Sequence, residues 1–286
     1  MITQTYITTS YGKIHLYTKG NGKRKVLLLH GSGCDSAMLS WHEVINYFSD
    51  DYTVCAPDLL GYGKSSRPEN LCGENFYPTH IESIRELTKT VGFDKFTLAG
   101  ISMGGAIAIG YALKYPENVS NLFLADSWGL SRRLPMHRFS NWYIHKTNMT
   151  LLQYRWIARS RFLTKWFISN SLIGDKKKIN DKLVEKVMAA CRYSSAGKAM
   201  LDYQRSSSSE EGAYPYYLQS LKNLKMPVIY INGEKDKLVP PSDSENAAKA
   251  TPNADYHLFE GCRHWSVKEK PKMVFHLVDD LYARIQ

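Results

Sequence analysis

The residues best placed to do chemistry lie in Gly100-Ile101-Ser102-Met103-Gly104, with Gly105 following. A serine flanked by glycine two before and two after fits the pattern G-x-S-x-G, in which a sharp turn lifts the hydroxyl clear of a strand end. The spacing has a steric reason, because such a turn brings strand and helix too close for side chains at the flanking positions. Phe96 to Ala99 is an apolar run before the turn, and an Ala/Ile-rich segment follows it. Strand, turn and buried helix are therefore expected. Ser102 stands at the apex as a nucleophile, and the helix start supplies unpaired amides near any developing anion.

A serine hydroxyl is a poor nucleophile alone, so the pattern calls for a histidine base and an acid that orients it. Of nine histidines, His15, His257 and His276 fall within expected elements, and His137 and His145 in a long middle segment. His264, in Gly261-Cys262-Arg263-His264-Trp265, sits in a loop directly after the last expected strand. The chain order serine, acid, histidine makes it the expected base. Asp236 occupies the matching loop one strand earlier and is the expected acid; Asp126, ending another strand, is the alternative. A tetrahedral intermediate needs two amide hydrogens aimed at its oxygen. Met103, next to the nucleophile, should give one, and Ser32, after the third strand, the other, with Gly33 as its alternative. His30 is expected to brace that loop, and Cys262 to be a packed thiol.

Strands and helices must carry these loops. Residues 2 to 8 and 13 to 17 alternate as short strands, and Val26 to Leu29 is a continuous apolar run ending at His30-Gly31-Ser32-Gly33. Asp35 and Ser36 are expected helix caps before Trp41, Val44, Ile45 and Phe48 at helical spacing. Tyr52 to Ala56 leads into Pro57-Asp58-Leu59-Leu60-Gly61-Tyr62-Gly63-Lys64-Ser65, and Ile81, Ile84, Leu87 and Val91 mark a helix stopped by Gly92. Strands at Leu122 to Ala125, Val228 to Ile231 and Asp255 to Phe259 follow, and Val274, Leu277, Val278, Leu281 and Ile285 mark a closing helix. Strand and helix alternation implies an α/β chain with a parallel sheet covered on both faces. Between 131 and 215 the alternation stops; that stretch reads as several inserted helices without a strand.

Composition is ordinary for a globular chain of 286 residues, 43% hydrophobic and 22% charged. The amino terminus has no basic region followed by an apolar stretch, so no signal peptide is expected. No apolar run approaches the about 20 residues of a membrane span, so no integral membrane association is expected. Five scattered cysteines suggest reduced thiols and a cytoplasmic protein. The net charge of +10 is concentrated: residues 131 to 205 hold sixteen Lys and Arg against four acids. Trp142, Tyr143, Tyr154, Trp156, Phe162, Trp166 and Phe167 lie among those bases. The aromatics are expected to pack the insertion onto the sheet while the bases face water. A sharper reading has some of them line an acyl pocket while the basic face attracts anionic substrates or lipid headgroups. No nucleic-acid module accompanies the charge, so no nucleic-acid partner is expected. His42-Glu43 lacks a second histidine at Asn46, and Asp58 stands where a phosphate loop before Gly63-Lys64-Ser65 needs glycine. No metal or other cofactor is implied.

HGSG, DLLGYGKS, GISMGG, GEKD and GCRHW, in that order over almost the whole chain, resemble the α/β-hydrolase family. The resemblance implies the α/β-hydrolase fold, a mostly parallel central sheet with helices on both faces. It also implies a core of residues 1–130 and 216–286, a helical cap over 131–215, and a triad of Ser102, Asp236 and His264. HGSG and Cys-x-His-Trp are similar to hydrolases that cleave carbon-carbon bonds in ring-fission products. Those enzymes typically carry Asn where this chain has Ile101, and an arginine where a rough alignment of the cap places Val187. The GCD after HGS resembles a branch of small-ligand signalling hydrolases. The expected activity is cofactor-independent hydrolysis of a small carboxylic ester, thioester or lactone, apolar or anionic, through an acyl-enzyme on Ser102. Carbon-carbon hydrolysis of diketone-type ring-fission products, or a small-ligand receptor or signalling hydrolase, is the alternative.

Overall fold

Apolar and β-branched runs become strands and the 3.6-spaced segments become helices in the computed structural model, which describes residues 1–134, 136–192 and 196–283. The chain opens with an antiparallel pair, β1 (Ile2–Thr9) and β2 (Gly12–Lys19). Then come β3 (Arg24–Leu29), α1 (Ala37–Ile45), β4 (Tyr52–Pro57), α2 (Phe76–Thr90), β5 (Phe96–Ile101), α3 (Met103–Lys114) and β6 (Val119–Ala125). Five helices follow: α4 (His137–Lys146), α5 (Met149–Arg159), α6 (Arg161–Phe167), α7 (Asp181–Arg192) and α8 (Ala196–Ser206). A small hairpin, β7 (Ser208–Ser209) and β8 (Gly212–Ala213), precedes β9 (Val228–Gly233), α9 (Pro241–Ala250), β10 (Ala254–Phe259), α10 (Ser266–Glu269) and α11 (Pro271–Ala283).

Eight strands make one sheet in the order β1-β2-β4-β3-β5-β6-β9-β10. β2 runs antiparallel to β4, and from β4 to β10 all neighbours are parallel. The sheet is mostly parallel with helices on both sides, as the resemblance implies. Alternate residues of one strand feed two cores: Leu27 and Leu29 pack with Ile84, Leu87 and Ile107, while Val26 and Leu28 pack with Trp41, Val44, Val274 and Val278. Each such side chain contributes roughly 1.5–3 kcal/mol when removed from water. A one-residue slip of β3 would exchange the two sets, so the pattern fixes the register. The carboxyl ends of β5, β9 and β10 then open on the same edge, where ligands bind in sheets of this kind.

Several local expectations change. The hairpin at Ser208–Ser209 and Gly212–Ala213 was not expected; four consecutive serines carry no strand signal, and its turn rests on Gly212 at φ +120°. α2 begins at Phe76, five residues before Ile81, because Phe76 and Tyr77 are themselves buried. Ser36 is the N-cap of α1 but makes no side-chain cap bond; the Ala37 amide donates instead to Asp58 Oδ1 at 3.0 Å. Trp142, Trp156, Phe162 and Trp166 do not pack the insertion onto the sheet but are exposed. Ile285 lies outside the described residues. Among the described residues, no helix is long and apolar enough to cross a membrane.

Candidate active site

Ser102 sits between β5 and α3 at φ 53° and ψ −120°, a conformation that costs a non-glycine residue about 1–3 kcal/mol and persists only when its surroundings enforce it. The enforcement is visible in the backbone. The Ser102 amide donates to Ala125 O at 3.0 Å, and its carbonyl accepts from Ala106 N and Trp128 N, both at 3.1 Å. The flanking glycines are sterically required: a Cβ at Gly100 would lie 2.3 Å from Gly104 O, and one at Gly104 would lie 2.4 Å from His30 O. At Gly105 it would meet Ser127 Oγ at 2.3 Å.

From the loop after β10, His264 Nε2 lies 3.0 Å from Ser102 Oγ. Its Nδ1 lies 2.7 Å from Asp236 Oδ2, in the loop after β9. Asp236 is fixed in turn, its Oδ1 accepting from Leu238 N at 2.8 Å and Val239 N at 3.1 Å. Burial works to lower the His264 pKa, but the charge of Asp236 and its hydrogen bond outweigh it, and the net shift is upward. An imidazole so held accepts a proton readily from a neighbouring hydroxyl.

Asp126 is at the same end of the sheet but serves other partners. Its Oδ1 accepts from Gly233 N at 2.8 Å, and its Oδ2 from the backbone and hydroxyl of Ser266. Burial, and then the charge of Asp236, push its carboxyl up to about 8. It ties the end of β9 to the start of α10, two residues after His264, and makes no hydrogen bond to the imidazole.

Met103 opens α3, so its amide is among the donors a helix start leaves unpaired. The loop 31–33 passes beside Ser102: a Cβ at Gly31 would lie 3.4 Å from Ser102 Cβ. Ser32 and Gly33 both line the cavity in front of Ser102. His30 holds this loop, its Nδ1 2.7 Å from Gly31 O and its Nε2 accepting from Leu59 N at 2.9 Å. Gly33, at φ +81°, lies under Tyr154, whose hydroxyl would be 2.9 Å from a Cβ there.

Asp35 does more than begin a helix. Its Oδ2 accepts from Gly31 N at 2.8 Å and from Ser40 Oγ at 2.5 Å, and Ser40 Oγ accepts from Trp265 Nε1 at 2.8 Å. The loop carrying Ser32 is thus tied to the residue after His264. Sequence spacing missed this role because an aspartate before a helix has a sufficient local explanation as a cap. Asp58 is a second such hub, accepting from Ala37 N, Lys64 N and His15 Nδ1 at about 3.0 Å.

The cavity holds about 420 Å³ and is mostly apolar, walled by Ile101, Trp128, Ile144, Tyr154, Phe167, Leu172, Met200 and Trp265. Among the described lining residues Lys237 is the one lysine or arginine. Val187 is fully buried in the core on α7 and does not line the cavity. Cys262 is buried, its thiol pushed up to about 12 chiefly by burial, the state of a packed cysteine. Among the described residues no group of three or more His, Cys, Asp or Glu is gathered as a metal site.

A family model described as the alpha/beta hydrolase fold matches residues 25–271. A 2-hydroxy-6-oxononadienedioate/2-hydroxy-6-oxononatrienedioate hydrolase of Paraburkholderia phymatum is 26% identical over 272 residues, covering 92% of this chain and 90% of that protein. A 2-hydroxymuconate semialdehyde hydrolase of Pseudomonas putida is 27% identical over 274 residues, covering 95% and 91%. Among solved structures, a meta-cleavage product hydrolase from Pseudomonas fluorescens superposes with a TM-score of 0.79 at 23% identity, covering 99% of this chain and 98% of that one.

Proposed function

Given that the chain belongs to the α/β-hydrolase family, we propose that it is a serine hydrolase that works through Ser102, His264 and Asp236. The observation that carries this reading is the unbroken chain of contacts, 3.0 Å from Ser102 Oγ to His264 Nε2 and 2.7 Å from His264 Nδ1 to Asp236 Oδ2. Ser102 Oγ attacks a substrate carbonyl while His264 takes its proton. The amides of Met103 and Ser32 receive the oxygen of the tetrahedral intermediate. His264 returns the proton to the leaving group, and water, activated by the same base, frees the acyl group. The helices between 131 and 215 act as a cap over a core of residues 1–130 and 216–286. Support comes from the cavity, whose walls include Ile144, Tyr154 and Met200 from the one and Ile101 and Trp265 from the other.

For the bond broken, the named relatives favour carbon-carbon hydrolysis of a ring-fission product over the ester reading placed first on the sequence. In such a substrate the leaving group is a carbon that departs as a delocalised dienolate, protonated through His264. Val187, where such enzymes carry an arginine, is buried away from the cavity and does not weigh against this reading. Ester hydrolysis is retained as a second reading on one observation: Ile101 and an apolar wall adjoin Ser102, with Lys237 the one described lysine or arginine to meet a carboxylate.

Side-by-side kcat/KM values on a 2-hydroxy-6-oxo-dienoate and on aryl esters of graded chain length test the choice. Faster consumption of the coloured dienol supports carbon-carbon hydrolysis; preference for the esters reverses the order. Ser102→Ala should lower kcat on either substrate by roughly 10⁶-fold, as triad knockouts do. Turnover that survives the substitution removes Ser102 from the mechanism.

A further inference from the structure

The outward side of the helices over the cavity is unlike the rest of the surface. Every Phe and Trp exposed among the described residues falls on α4 to α6: Phe139, Trp142, Trp156, Phe162 and Trp166, each 51 to 76% exposed. Exposed cations alternate with them, namely Arg138, Lys146, Arg155, Arg159 and Lys165, none in an ion pair among the described residues. From 127 to 174 the chain contains no Asp or Glu at all.

Large aromatic side chains are normally the first to be buried, so five on three successive helices need a partner. The cations between them select an anionic one. Trp and Phe beside Lys and Arg on an amphipathic surface is the composition that settles at the headgroup boundary of a bilayer, rings among the acyl chains and cations on the phosphates. The position of this face argues for the same partner. Ile144, Tyr154 and Phe167, on the inner sides of the same helices, line the cavity. A bilayer against the outer side would therefore lie one helix thickness from the apolar chamber in front of Ser102.

We infer that the outer face of α4, α5 and α6 is a docking surface for an anionic phospholipid bilayer, peripheral in kind. The inference does not depend on the bond Ser102 attacks, and a binding assay separates the two.

The full chain is sedimented with phosphatidylcholine vesicles, with and without phosphatidylglycerol. It should partition onto the phosphatidylglycerol vesicles, release as salt rises, and show a blue shift of tryptophan emission with quenching by brominated acyl chains. Trp156→Ala, Phe162→Ala and Trp166→Ala together should weaken vesicle binding by about tenfold or more, since the apolar share is lost. They should leave the circular dichroism and melting temperature of the wild type intact, because none contributes to the core. Arg155→Glu with Arg159→Glu should remove the preference for phosphatidylglycerol. Ser102→Ala should bind as wild type. Absence of binding to either vesicle, undiminished binding by the aromatic variant, or tighter binding to single-stranded RNA than to vesicles overturns the proposal.

Discussion

Trp265 Nε1 donates to Ser40 Oγ across 2.8 Å, joining the residue that follows His264 to a helix that starts behind the loop 31–33. Ser40 passes the contact on to Asp35, which holds the Gly31 amide. His264 and the loop 31–33 are thus set by one buried relay of side chains. Ser40→Ala should strand the Trp265 indole nitrogen and remove a donor from Asp35, costing about 1–3 kcal/mol of stability. Because the loop beside Ser102 loosens, kcat should fall more than KM changes. Thermal melts and steady-state kinetics read the two effects; an unchanged kcat would confine the relay to stability.

The upward shift of His264 gives a pH profile with a definite sign. The imidazole must be neutral to take the Ser102 proton, so kcat/KM should climb with pH through an apparent pKa above the ordinary value of 6.5 and level off beyond it. The protonated form gains stability from Asp236 that is present below 6.5 and is lost as pH rises through the raised value. Asp236→Asn removes the larger of the charges that oppose burial, leaving the weaker ones of Asp126 and Asp35, which should move the limb downward and lower kcat by roughly 10⁴-fold. Asp126→Asn should leave the limb near its original place and chiefly lower the melting temperature, since its bonds go to Gly233 and Ser266. A reversed outcome makes Asp126 the orienting acid.

At Gly104 a Cβ would come within 2.4 Å of His30 O and 2.5 Å of Leu29 O, both backbone atoms that cannot step aside. Gly104→Ala should therefore cost about 3 kcal/mol or more, at or beyond the upper end of ordinary overpacking. Gly110→Ala is the comparison: its Cβ would meet the ends of the Ile81 and Tyr217 side chains, which can rotate. Denaturant melts of the two variants should differ by at least about 1 kcal/mol, with Gly104→Ala the worse. Equal midpoints would mean that β3 and α3 separate more easily than their contact suggests.

The turn at Ser102 was legible because its requirements are local: a strained residue and glycines where backbones meet can be read from five letters. Strand ends were legible from apolar runs, and this placed Asp236 and His264 in loops on one edge of the sheet. Their mutual distances were not legible, since they come from the register of three parallel strands. Asp35 and Asp58 show the other limit. Each looked locally complete as a cap or loop residue, yet Asp58 takes its partners from distant chain, His15 and Ala37, and Asp35, bonded to nearby Gly31 and Ser40, reaches Trp265 through the Ser40 hydroxyl. The exposed aromatics of α4 to α6 went against the preference for burial, which is why composition pointed them inward. Substrate was the least legible, because one apolar residue, Ile101, weighs little against relatives that align over nine-tenths of the chain.

Ser102 and His264 meet across 162 residues of sequence, with the whole helical insertion between them. Two short loops would close quickly; this one must wait for the sheet to be completed by β9 and β10. During synthesis, then, no nascent chain that ends before His264 can bring the Ser102 hydroxyl and an imidazole at that position together.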